Sequence, residues 1–463
     1  MRTPPFYTSY NSIFRFSLLT FIGVTLIKCS SRGFSCLMNI LDLYSHTETV
    51  TIKKREDNKM ISVEEAQRLI LENTKVLEPA EIPLTEAEGL VLAEDIISPV
   101  DIPYFTNSSM DGYALKSKDT KGADESSPVP MKIVGVIRAG DYPNFSIRDK
   151  EAAKIMTGAP LPEGSDSVLM VEYTDEENGT VRIKRSVSPG ENVRYKGEEI
   201  NKGEIALQKK AMINPASIGF IAELGIKNVK VYRKPRVALL VTGEEVVGFD
   251  EELKPGKIRD TNSITLRAAL SQEKAELLYL GRAGDEIRDI EEKLRDGFQW
   301  CDALIVTGGI SVGDYDYVKD ALRNLGVEGI FWRVAQRPGG PMFFGKRNET
   351  LIFGLPGNPA STLVCFYEYV RPAIQKMIGK GDVFLMEIGA TLLEEIRKKP
   401  DGKTHFLRGL LEKRDNSFYV KSGGTQGSHI LKSFALSNCL IIVPGDVTHI
   451  PSGTRVNVHL LPG

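Results

Sequence analysis

Cysteine and histidine are both scarce, with five of each in 463 residues. The cysteines Cys29, Cys36, Cys301, Cys365 and Cys439 show no C-x-x-C spacing. That excludes a disulfide scaffold and a zinc knuckle, and it suits a reducing, cytoplasmic setting. Four of the five histidines follow residue 400, and no H-x-x-x-H or H-E-x-x-H string exists. Chemistry in the middle of the chain therefore falls to carboxylates, hydroxyls, backbone amides and a hard cation. Neither sign of charge dominates: 59 Lys and Arg against 61 Asp and Glu leave a net charge of −2. A nucleic-acid partner, which needs a basic footprint, is not expected. Long apolar runs are missing too. The apolar stretch at 13–27 is interrupted by Arg15, Ser17 and Thr20, and a spanning helix needs about 20 apolar residues. No membrane partner is expected.

What remains is a globular composition, 41% hydrophobic and 26% charged, long enough for about two to four domains. Residues 1–59 read differently from the rest and are taken as an extra N-terminal segment outside the fold. Ser62 and Glu65 form a capping-box pattern ahead of a helix over 62–73. Strand and turn signals fill 104–195. Beyond 234, apolar strands alternate with helices, the pattern of a parallel α/β sheet. After 382 only short strands and turns return. The chain is thus expected to be α/β multidomain. A discontinuous domain I covers 60–103 and 196–233, a β-rich insert domain II covers 104–195, a central parallel-sheet domain III covers 234–381, and a small all-β domain IV covers 382–463.

In an open parallel sheet, ligands bind outside the carboxyl ends of the strands. Three predicted strand ends carry unusual turns: Thr242-Gly243-Glu244-Glu245, then Thr307-Gly308-Gly309 running on to Asp314-Tyr315-Asp316, then Leu355-Pro356-Gly357-Asn358-Pro359. Glycines let backbone amides approach an anion, and a following helix N-terminus adds its dipole. Glu245, Asp314 and Asp316 would repel a phosphate unless a cation such as Mg2+ lay between. No P-loop string is present. The second turn reads as a nucleotide or phosphate site with its own metal. Two further strings stand out in the insert: Asn107-Ser108-Ser109-Met110-Asp111-Gly112-Tyr113 and Thr157-Gly158-Ala159-Pro160.

Taken in order, NSSMDGYAL, TGAPLP, GEEI, TGEEV, DTN, GGISVGDYDY, GLPGNPAS and TQGSH make residues 60–463 resemble the molybdopterin molybdenumtransferases, the MoeA-type enzymes, whose relatives include the E domain of gephyrin. GGISVGDYDY alone resembles only the wider molybdopterin-binding fold shared with MogA-type adenylyltransferases. The resemblance implies insertion of molybdate into adenylylated molybdopterin with Mg2+, giving molybdenum cofactor and AMP. It implies a homodimer, with MogA-type adenylyltransferases and molybdoenzyme apoproteins as further partners.

The resemblance also implies roles for residues. Asp111, Thr157, Glu199, Glu245 and Asp316 fall at catalytic positions, with Glu245, Asp314 and Asp316 holding the metal. Gly308, Gly309, Ser311 and Gly313 fall on the phosphate-cradling loop, and Pro356, Gly357, Asn358 and Ser361 on the third turn. Arg194, Arg337, Pro341, Arg408 and Ser428 complete the substrate site, the last two on the molybdate side. One departure matters. The family usually shows Lys-Pro-Gly-Lys-Pro, whereas this chain has Arg337-Pro338-Gly339-Gly340-Pro341, which removes one point charge. That leaves a tungstate-specific paralogue open, beside molybdopterin adenylyl transfer and a gephyrin-like scaffold.

Overall fold

In a computed structural model of the chain, residues 60–310 and 317–462 are described. The expectations for residues 1–59, and for Ser311, Gly313, Asp314 and Asp316, lie outside the described residues.

The first helix, Val63–Asn73, starts where its cap predicts: Ser62 Oγ accepts the Glu65 amide at 3.1 Å. Its buried stripe of Val63, Ala66 and Ile70 joins the core that contains Phe366, Tyr369 and Ile374. Two short antiparallel pairings then tie the chain before the insert to the chain after it. Pro79–Pro83 pairs with Asn228–Tyr232, and Ile96–Ile97 with Ile205–Leu207. Between them, the insert builds its own six-stranded sheet, in which Gly112–Leu115 lies between Glu151–Ile155 and Ser167–Met170.

The central sheet runs Glu276–Ala283, Arg236–Thr242, Ala303–Thr307, Thr350–Leu355, Pro341–Arg347, Glu328–Arg333. The first four strands are parallel, as the alternation predicts. The last two are antiparallel, so the sheet is mixed, not parallel throughout. The reason is local. Arg347 pairs directly with Thr350, and Asn348 takes a positive φ of 54° in the two-residue turn between them. Asn tolerates that conformation at low cost. Helices cover both faces: Asn262–Gln272 and the helix from Pro359 on one, Ile287–Phe298 and Tyr317–Asn324 on the other.

The helix from Pro359 is broken in hydrogen-bond pattern, though not in direction. Pro359–Cys365 passes through a π turn at Phe366–Val370 into Arg371–Met377. Pro372 has no amide to offer the Glu368 carbonyl one turn earlier. Gln67 Nε2 takes that acceptor instead, at 3.3 Å.

In the C-terminal part, Thr404–Arg414, Ser417–Ser422, Glu387–Leu392, Arg455–Leu460 and Cys439–Val443 close on themselves through the 404–414 and 439–443 strands. This five-stranded barrel removes the exposed edges an open sheet would leave. The all-β expectation needs one addition, the short helix Leu431–Ala435. Among the described residues, no helix is long and apolar enough to cross a membrane.

Candidate active site

The three strand-end turns meet at one edge of the central sheet. Arg236–Thr242, Ala303–Thr307 and Thr350–Leu355 are adjacent and parallel, so their carboxyl ends point the same way. Gly308 donates to Leu355 O at 3.2 Å, and a Cβ on Gly308 would strike Thr242 O at 2.5 Å. Gly308 and Gly309 both have positive φ, 85° and 60°. Only glycine reaches that geometry and that closeness together. Asn262 Nδ2 donates to Gly357 O at 2.8 Å, which draws the start of the next helix into the same edge. The Asp260-Thr261-Asn262 string opens the helix Asn262–Gln272. Asp260 does cap, accepting the Ser263 amide at 2.9 Å, while Asn262 spends its side chain on the third turn. Thr307 Oγ1 is buried there without a hydrogen-bond partner among the described residues. Glu245 is exposed, with its carboxylate folded over Gly243, where a Cβ would lie 2.7 Å from Oε2.

The third turn also receives the barrel. The Ala360 amide donates to Ser428 O at 3.1 Å, so the Thr425–His429 string lies against the start of the helix at Pro359. Pro356 O accepts the Thr362 hydroxyl, Asn358 O accepts its amide at 3.0 Å, and Ser361 is buried. The loop at 337–341 closes in beside them. A Cβ on Gly339 would lie 3.2 Å from Ser361 O. Gln336 and Arg337 pair with Thr404 and His405 of the barrel, and Pro341 opens the next strand. Arg337 is exposed.

Arg408 behaves differently. It is fully buried, and among the described residues no carboxylate meets it. Nη2 donates to Thr425 O at 3.2 Å and Gly427 O at 3.0 Å, and Nε donates to Ser433 Oγ at 3.2 Å. Gln426 completes the clamp, accepting the Arg408 amide at 2.9 Å and donating to its carbonyl at 3.0 Å. Nη1 has no partner. Burial lowers the guanidinium pKa to about 10.

The insert holds a second constellation. The Thr157 amide and hydroxyl both donate to Asp111 Oδ1, at 2.7 and 2.8 Å. The amide bond, then the hydroxyl bond, hold this exposed carboxyl below its ordinary value. Arg194 pairs with Asn107 across two short strands, which brings it to the same string, and its side chain is exposed. Glu199 is exposed as well, its amide bound to Ile102 O at 3.0 Å. No described hydrogen bond joins this constellation to Glu245. Among the described residues, no three His, Cys, Asp or Glu side chains form a cluster able to hold a metal ion by themselves.

Comparison with known proteins covers the regions that hold both constellations. Residues 61–225 match the MoeA N-terminal region (domain I and II), 238–376 the probable molybdopterin binding domain, and 390–461 the MoeA C-terminal region (domain IV). The molybdopterin molybdenumtransferase 2 of Mycobacterium tuberculosis is 35% identical over 404 residues, covering 86% of this chain and 99% of its own. The molybdopterin molybdenumtransferase of Haemophilus influenzae is 35% identical over 409 residues, covering 87% and 100%. A crystal structure of a molybdopterin biosynthesis MoeA protein from Pyrococcus horikoshii is similar with a TM-score of 0.75 at 31% identity, covering 88% of this chain and 100% of that one. Over that length and in that order of regions, the chain belongs to the MoeA family of molybdopterin molybdenumtransferases.

Proposed function

We propose that this protein is a molybdopterin molybdenumtransferase that inserts molybdate into adenylylated molybdopterin, releasing AMP and molybdenum cofactor. The observation that carries the reading is the meeting of three strand-end turns with the barrel loop, joined at Ala360 and Ser428. A substrate with a pyrophosphate and a second, tetrahedral anion needs both parts. Gly308, Gly309 and Gly357 leave backbone open to phosphate oxygens, with Asn358 and Ser361 beside them. Arg337 and Ser428 supply donors for molybdate, and Arg408 holds the Thr425–His429 string that carries Ser428. Molybdate is held as substrate, and the site positions it against the dithiolene.

Glu245 fits a hard cation. Mg2+ is commonly bound by one or two carboxylates together with substrate phosphates and water, so a single exposed carboxylate at the phosphate edge is a suitable donor. Asp314 and Asp316 are the further ligands proposed. When bound, Mg2+ would neutralise charge on the phosphate oxygens. Asp111, held ionised by Thr157, together with Glu199 and Arg194, forms the insert's share of the site. A homodimer in which the insert of one subunit faces the central sheet of the other would bring the two constellations together. We retain the four-domain division given above, the cytoplasmic setting, and MogA-type and apoenzyme partners as parts of the same proposal.

The test is AMP release by the full chain from adenylylated molybdopterin, with Mg2+ and either molybdate or tungstate. Release driven by molybdate supports the reading. Release driven by tungstate alone moves the assignment to a tungsten paralogue, an outcome the Gly340 departure makes worth including.

A further inference from the structure

The helix that supplies the third turn also reaches the underside of the 337–340 loop. Cys365 Sγ donates to Gly339 O at 3.4 Å and accepts from Gln336 Nε2 at 3.7 Å. Gln336 Nε2 also donates to Pro338 O at 3.0 Å, and the Tyr369 hydroxyl donates to Gln336 Oε1. Gln336, Cys365 and Tyr369 are buried, while Arg337 beside them is exposed. Gly339 has a φ of 84°. A Cβ there would strike Cys365 Sγ at 2.6 Å and Gln336 Nε2 at 3.0 Å, so loop and helix touch without slack.

We propose that Gln336 and Tyr369 are positioning residues, which fix the backbone of the 337–340 loop so that Arg337 faces the anion. This rests on the oxyanion site proposed above. An apolar pair could fill the same volume without burying an amide and a phenol. The polar pair adds direction instead. Both ends of the Gln336 amide are engaged, the oxygen by the Tyr369 hydroxyl and the nitrogen by Pro338 O and Cys365 Sγ, and one of those partners is a carbonyl of the loop itself. The π turn contributes as well. It presents Tyr369 to the loop while the neighbouring Glu368 bonds His459 of the barrel at 2.8 Å. One helix segment thereby contacts both the 337–340 loop and the barrel.

Two variants separate positioning from stability. Tyr369→Phe deletes one hydroxyl and leaves Gln336 Oε1 buried without its donor. The double variant Tyr369→Phe with Gln336→Leu removes both groups, which relieves the unpaired Oε1 but leaves Pro338 O without the Gln336 donor. Molybdate dependence of AMP release and direct molybdate binding by calorimetry are measured on the full chain, beside thermal midpoints. Half-saturating molybdate is expected to rise about tenfold in both variants, with kcat held within about twofold. The double variant is expected to recover part of the thermal midpoint lost in Tyr369→Phe. Unchanged half-saturation in both variants overturns the proposal, as does its return to the parental value in the double variant. If the parent binds molybdate without releasing AMP, the functional reading fails, and the binding shift in the variants still decides the positioning role. A parent that binds no molybdate overturns both.

Discussion

Two arginines flank the proposed anion site, and they are opposites. Arg337 stands exposed on a loop, whereas Arg408 is wholly buried in the barrel wall. Arg337 costs the fold little to keep and is free to meet a ligand. Arg408 has given up its hydration for two carbonyls and a serine hydroxyl, and no carboxylate among the described residues offsets its charge. Buried unpaired charge is expensive. That cost is consistent with a site, since an arriving dianion would supply what burial removed. On this proposal the same type of side chain would do two jobs: Arg337 would contact the anion, while Arg408 shapes the Thr425–His429 string.

If this contrast holds, Arg408→Met should be the most damaging single change. It strips donors from Thr425 O and Gly427 O, and a lost buried partner costs about 1–3 kcal/mol. Both the urea midpoint and the molybdate response should fall. A variant with parental stability would show that Arg408 does not hold the loop. Arg337→Ala should leave stability within about 0.5 kcal/mol, as exposed substitutions do. A charge-assisted bond contributes about 1.5–3 kcal/mol, so half-saturating molybdate should rise about 10- to 100-fold. The two variants therefore separate along different axes, and a matched pair of effects would erase the distinction.

Gly340→Lys restores the missing charge beside Arg337 and should lower half-saturating molybdate several-fold, read from AMP release against molybdate. The left-handed φ in this loop belongs to Gly339, not Gly340. The lysine therefore meets only a tight fit, with Gln336 O and Val334 O at 3.0 and 3.2 Å from its Cβ. The smallest effect concerns the joint beneath the barrel. Burial would lower the His459 pKa, but the bond and charge of Glu368, helped by Glu387, raise it above 6.5. A raised pKa gives stability that is fully present below pH 6.5 and is lost as pH rises through the folded value. His459→Gln should flatten that dependence of the thermal midpoint. An unchanged pH profile would remove the pair from the joint.

The strand ends at Thr242, Thr307 and Leu355 were legible to the residue, because an apolar run stops at a Gly-bearing turn in each case. Ser62 was legible because a cap is a local signal. The antiparallel edge was not, since 341–347 reads as another apolar run and only Asn348 hints at the hairpin. Barrel closure was also hidden, because it depends on pairing between 404–414 and 439–443, which no local pattern encodes. The site divides in the same manner. The turns and the insert strings are visible as residues, but the contact of Ala360 with Ser428 and the buried clamp around Arg408 arise only from packing. Gln336 and Tyr369 carried no sequence signal beyond being polar groups within apolar runs.

The most direct test of the account is AMP release from adenylylated molybdopterin by the full chain, followed with Mg2+ as molybdate is titrated. The account predicts saturable, molybdate-dependent release whose half-saturation moves upward in Arg337→Ala while the thermal midpoint stays fixed. Release that ignores molybdate, or that saturates identically in the parent and in Arg337→Ala, would contradict it.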